Sequence, residues 1–356
     1  MKRRFLSCLF LLILDGTLMF LFYKFPGLFF PAYRNISKAW IAFLSTLSGF
    51  TKIAVWDIGA LVLLLLALIT LVLTVIRKRS LLNWLSHAAL TAAVLLSIAV
   101  DGWMLNHYAP KLSSELDLTV GEYSYEQLYE TTEYYYDTAA KYAAMIQRDE
   151  EGHALKQDFY EMASLAGASY KRLAESYPIF KGSSMRVKKL SLIGEYLMYN
   201  GIVGMFMPIS GEAGVPESVP VVPLPFTMAH EAGHRLGLAG EEEANFAAYL
   251  ACVNSEDVRF LYSGYYNAFS YCFSALYRAD PEEAVELYKS KEETGHLLVR
   301  LDRSDTAAVY RNYDSPLQEV SDKVNDTYLK TFSEKEGIKS YGIVTDYLIA
   351  WHLEGR

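Results

Sequence analysis

Three long apolar runs fill the first third of the chain: Phe5–Tyr23, Ile53–Ile76 and Trp84–Leu105. Each has about the 20 residues a helix needs to cross a hydrocarbon core, so three transmembrane helices are expected. After Tyr108 the pattern becomes amphipathic. Residues 124–149 and 158–178 carry aromatic and apolar side chains at three- and four-residue spacing, which predicts helices. Residues 201–225 break that rhythm with recurrent proline and glycine, so no long helix fits there. Short extended segments are expected instead, with "GIVGMFMPI" (201–209) as the best strand. Residues 226–236 and 241–253 return to helix, and at least three more helices follow from Asp257. The chain therefore reads as mainly α. A membrane domain over 1–107 precedes an α-rich (α+β) soluble domain over 108–356, with a short strand region ahead of its central helices.

Charge sharpens this division. Residues 1–105 hold ten Lys/Arg and three Asp/Glu, and since the whole chain is −8, the remainder carries −15. So acidic a domain excludes nucleic acid as a partner. Lys2, Arg3 and Arg4 precede the first run, and Arg77, Lys78 and Arg79 join the second to the third. Both clusters are expected in the cytoplasm, which makes this a multi-pass protein of the cell membrane with a cytoplasmic N-terminus and an extracytoplasmic soluble domain. The first run lacks a small-residue cleavage site and is expected to be retained as a helix in the bilayer. Asp15, near the middle of that run, is a functional candidate. Asp57 and Asp101 fall near the outer ends, where interfacial or capping roles suffice. The three cysteines, Cys8, Cys252 and Cys272, lie in apolar helical contexts and read as buried thiols.

One motif carries chemistry. His230-Glu231-Ala232-Gly233-His234 places two imidazoles four residues apart, on one face of a helix. Both can reach one zinc ion, while Glu231 is displaced around the helix and serves as general base rather than ligand. A catalytic zinc wants a third protein ligand and an open position. Gly237 and Gly240 can reverse the chain, and Glu241-Glu242-Glu243 then opens a second helix. Glu241 is the preferred third ligand because Asn245, four residues on, shares its face and can accept the outer N–H of a ligand histidine. Glu243 is the alternative. Gly204, Met205, Phe206 and Met207 are candidates to bind substrate by strand addition, and Glu212 is either an amine-binding group or a turn cap. A second electrophile would come from His296 or the Tyr265–Tyr266 pair.

H-E-x-x-H followed by a short acidic helix resembles the gluzincin metallopeptidases, with Asn245 where their second acidic residue stands and a much shorter spacing. Gly240 stands where the metzincins carry a third histidine. The segments "GMFMPISGEA", "LPFTMAHEAGHRLG", "EEEANFAAYLA" and "VNDTYLKTF…GIKSYG", together with the three apolar runs, are similar to a bacterial membrane family, domain of unknown function 3810. The resemblance implies a zincin-like soluble domain and a zinc-dependent metallopeptidase that hydrolyses peptide bonds with metal-activated water and Glu231 as base. Two other functions fit the same residues: a non-catalytic metal-binding membrane protein, with a structural or sensor site, and a zinc amidase acting on cell-wall fragments.

Overall fold

A computed structural model describes residues 1–331 and 343–356; the "GIKSYG" segment lies outside them. The chain opens with four helices, α1 (Lys2–Lys24), α2 (Pro26–Ser48), α3 (Val55–Ile76) and α4 (Leu81–Gly102). Of these, α1, α3 and α4 are long and apolar enough to cross a membrane. α3 leaves its leucines and valines exposed all round, as a helix solvated by lipid does. Arg4 donates to Asn83 and Ser86, and Ser97 donates to Asp15 at 2.9 Å. α1 and α4 therefore run parallel, and Lys2–Arg4 share one end of the bundle with Arg77–Arg79. The remaining chain packs at the opposite end.

The stretch between the first two spans is not a plain loop, as the apolar pattern suggested. It forms α2, whose buried face is Phe30, Tyr33, Ser37, Ile41, Ser45 and Ser48. Three small serines let that face sit close against neighbouring backbone. Ser37 donates to Gly102 O (2.7 Å) and Ser45 to Gly211 O (2.6 Å). Ile53 also bridges to Lys189. Residues 26–54 thus pack with the second part of the chain.

The second part is helical with one small sheet. Its elements are α5 (Leu112–Glu115), α6 (Tyr125–Ala143), α7 (Phe159–Ser176), β1 (Lys188–Leu190), α8 (Gly194–Tyr199), β2 (Met205–Met207), β3 (Glu212–Pro216), α9 (Leu224–Arg235), α10 (Glu241–Val253), α11 (Val258–Ala279), α12 (Pro281–Ser290), α13 (Thr294–Arg311), α14 (Leu317–Thr331) and α15 (Ile343–Leu353). The strand order is β1-β3-β2, with β1 parallel and β2 antiparallel to β3. α6 starts on a capping box of Ser124 and Gln127, which satisfies two free backbone donors. Ala139, Ala140 and Ala143 let it lie close to its neighbours, and Tyr136 stacks on Phe269 of α11 at 4.3 Å. α9 and α10 run through the middle of this core, and most of their residues are buried. Cys8, Cys252 and Cys272 are buried free thiols.

Two carboxylates tie α3 to the sheet. Glu212 accepts from Val55 N (2.9 Å) and Trp56 N (3.0 Å), capping the start of α3, so of its two candidate roles the structure displays the capping one. Asp57 reaches the other way and accepts from the backbone N–H groups of Ser191, Leu192 and Ile193. Each satisfies donors that would otherwise be orphaned at a segment start.

Candidate metal centre

α9 ends in a turn of Leu236–Gly240, with Gly237 at φ +91°. This is the left-handed conformation that glycine adopts without a Cβ penalty. Gly240 needs no such freedom; its φ of −69° and ψ of 134° belong to an ordinary N-cap. The turn lays the first residue of α10 against the C-terminal half of α9. His230 Nε2 lies 3.3 Å and His234 Nε2 3.7 Å from the Glu241 carboxylate, and the two imidazole nitrogens are 3.0 Å apart. All three ligand atoms fall within 4.8 Å of one another, and among the described residues no fourth His, Cys, Asp or Glu joins them.

The proton positions follow from the partners. His234 Nδ1 lies 2.7 Å from Leu238 O. A carbonyl only accepts, so Nδ1 carries the proton and Nε2 presents a lone pair. Burial, aided by neighbouring His230, pushes His234 down to about 4, which keeps it neutral as a metal ligand must be. Burial opposes charge on His230 too, but the Glu241 hydrogen bond and charge win, and Asn245 adds to them, so this ring is held above its ordinary value. Asn245 is buried against that ring. Two ring nitrogens 3.0 Å apart, with a carboxylate beside them, leave a position suited to a cation.

Glu231 is not one of this trio, though it lies near enough to feel the charges of His230 and Glu241. Its carboxyl is buried, one oxygen has no hydrogen-bond partner, and desolvation, reinforced by Glu241, pushes it up to about 8. Gly204, just before β2, lies directly against it: a Cβ there would come within 2.4 Å of Glu231 Oε1. Among the described residues β2 pairs only with β3, so one strand edge starts beside Glu231. Gly204→Ala is therefore expected to displace the Glu231 carboxyl or the strand and to destabilise the fold by about 1–3 kcal/mol, the usual cost of overpacking a core. Thermal unfolding of the variant beside the wild type checks this.

The other acidic candidates go elsewhere. Glu243 accepts from Leu112 N at 2.8 Å, and Glu242 pairs with Lys111 at 2.8 Å. Both are buried, so neither is a solvated helix start. His296 is held by Asp137 and Glu293. Tyr265 stacks on Tyr142, and Tyr266 reaches Thr306. The structure does not bring these three to the cluster. It brings two features that have no motif. Tyr271 on α11 packs on Phe226 of α9, and burial together with the nearby Glu241 charge raises its phenol. His107 and Tyr328 pair at 2.9 Å, with His107 edge-on to Trp103, whose indole N–H donates to His234 O at 2.8 Å. These residues are 37 to 127 positions from the motif they approach, and only tertiary packing could reveal them.

A membrane-associated helical protein with a partly buried two-histidine, one-glutamate cluster is the class that fold and site define. The chain belongs to the DUF3810 family, described as a protein of unknown function, whose family model matches residues 33–349. The match takes in α3 and α4 but begins after α1. No curated protein and no solved structure matches the chain.

Proposed function

We propose that this chain is a membrane-anchored zinc peptidase. The observation that carries the reading is the convergence of His230, His234 and Glu241 within 4.8 Å, three ligand groups and not four among the described residues, with the buried Glu231 carboxyl near them. Three protein ligands with a fourth position open is the arrangement of a catalytic zinc, whereas four would favour a structural one. Glu243, turned to Leu112 N, leaves that fourth position to solvent and substrate.

Zinc held by these three groups would supply Lewis-acid polarisation of a carbonyl and acidify water. Glu231 takes a proton from the attacking water at its unpartnered oxygen and delivers it to the departing amine nitrogen. The free edge of β2 aligns an extended peptide by main-chain hydrogen bonds, with Gly204 letting it pass close to the base. Tyr271 offers a hydroxyl beside Glu241 that can donate to the developing oxyanion. Asn245 orients the His230 ring. Because both basic clusters lie at the bundle end remote from this domain, the same reading places the domain outside the cytoplasm of a bacterial cell.

The test is metal analysis paired with hydrolysis of casein by the full chain in detergent. One zinc per chain is expected, with cleavage lost on chelation and restored by stoichiometric zinc. His234→Ala should lose both metal and cleavage. Zinc bound tightly with no cleavage under any condition would assign the site a structural role, and a metal-free active protein would end the proposal.

A further inference from the structure

The second helix, α2, has one face that lies exposed among the described residues. Ile36, Trp40, Phe43 and Leu47 are exposed, and Phe50, two residues past the end of the helix, is exposed to 80%. Their spacing of four, three, four and three residues makes one stripe along the helix. The stripe carries no charge: Arg34 is turned to Glu115, and Lys38 donates to Ile179 O and Lys181 O. A continuous apolar strip of this length marks an interaction surface.

Three observations say what covers it. First, α2 touches the soluble part from Arg34, through Lys38 and Ser45, to Ser48, whose carbonyl accepts from Lys188. That is 15 residues, or about 21 Å of helix, all lying along the domain. A spanning helix would leave it after one turn, so α2 runs beneath it. Second, the stripe points the same way as the spans. Ile36 and Trp40 share an open apolar cleft of about 440 Å³ with Leu11, Val94 and Ile98. Val94 lies eight residues, or about 12 Å, inside the end of α4. Third, the site rests on the same platform. The turn at Gly211 between β2 and β3 sits on Ser45, and Trp103, one residue past α4, bonds to His234.

We propose that α2 lies in the plane of the membrane surface with this stripe immersed in the leaflet, and that the site acts on the juxtamembrane stretch of polypeptides anchored in the same bilayer. The second half rests on the peptidase reading above. An uncharged apolar face on a helix whose polar face is engaged is the pattern of an interfacial helix, immersed by about 5–10 Å. From Met207, beside the turn, to Gly204 is three strand residues, about 10 Å, so Glu231 stands close above the headgroups. A substrate anchored in the bilayer arrives there at high effective concentration, and a free one does not.

Two measurements test this on the full chain in vesicles of phosphatidylethanolamine and phosphatidylglycerol. Nitroxide labels are placed through Ile36→Cys, Phe43→Cys and Leu47→Cys; the native thiols are buried. Labels through Leu64→Cys in α3 and Glu151→Cys in the soluble part serve as lipid and water references. Stripe labels should collide with oxygen in preference to a nickel chelate, as at position 64. Collision mainly with the chelate, as at position 151, overturns the placement. Protection from both also overturns it, in favour of a protein partner or a second copy. Separately, an unstructured casein peptide joined to an apolar transmembrane helix by a short polar linker should be cut about 10²-fold faster than the same peptide free. Equal rates overturn the anchored substrate. Cleavage of neither overturns the peptidase reading and this substrate with it, while the labels decide the position of α2 independently.

Discussion

Replacing Glu231 by glutamine is expected to lower hydrolysis by about 10²–10⁴-fold, the usual contribution of a positioned general base, while zinc content stays at one per chain. Glutamine fills the same buried space beside Gly204 and cannot accept the proton. The carboxyl is held up to about 8 by desolvation, so a neutral amide there costs the fold little. In the proposed mechanism three groups separate from it, His230, His234 and Glu241, would hold the metal, which is why metal and activity should part company. Metal analysis with single-turnover cleavage on the same preparation checks this. Loss of zinc with loss of activity would make Glu231 a structural member of the cluster. Unchanged activity would remove it from the mechanism.

The largest effect on stability is expected away from the site. Arg148 and Asp302 form a bidentate pair of 2.9 and 2.7 Å, and Tyr262 also donates to Asp302. The side chains are only 10% and 1% exposed. Asp302→Ala should cost about 3–5 kcal/mol, because it strands a buried guanidinium and a buried phenol. The double change Arg148→Met with Asp302→Leu should recover much of that loss, since the pair repays little beyond its own desolvation. Urea unfolding of the soluble part in detergent, followed by circular dichroism, measures both. A double variant as unstable as the single one would show that shape, not charge, dominates there.

Legibility in the sequence tracked how locally each feature is determined. α3 could be read because its apolar run has one interpretation, and its observed start differs by only two residues. The boundaries of α10 were legible from the Gly240-to-Glu241 change and the Val253 end of the apolar stretch. α2 was not, because Ile36, Phe43 and Leu47 are exposed while three serines share the buried side with Phe30, Tyr33 and Ile41. A rule that assigns apolar faces to the interior fails where the outer solvent is lipid. In the site, the H-E-x-x-H spacing and the glycine turn named the three ligand candidates, since helix geometry alone brings His230 and His234 together. The fate of the neighbouring acids was not legible. Glu243 finds Leu112 N and Glu242 finds Lys111, partners 131 residues upstream. Nothing in the local pattern distinguishes them from a solvated helix start. Tyr271, His107 and Tyr328 reach the site only through packing of α11, the end of α4 and α14.

The reciprocal caps at the foot of α3 have a mechanical consequence. Glu212 grips the first turn of the helix while Asp57 grips the loop after β1, so the joint has no slack peptide to act as a hinge. Any tilt of the α3–α4 hairpin imposed by a thinner or thicker hydrocarbon layer is passed into β3 and its neighbour β2 rather than dissipated. A change in the thickness of the surrounding hydrocarbon layer is therefore expected to reach the strand that starts beside Glu231, as a load at one end of a lever is felt at the other.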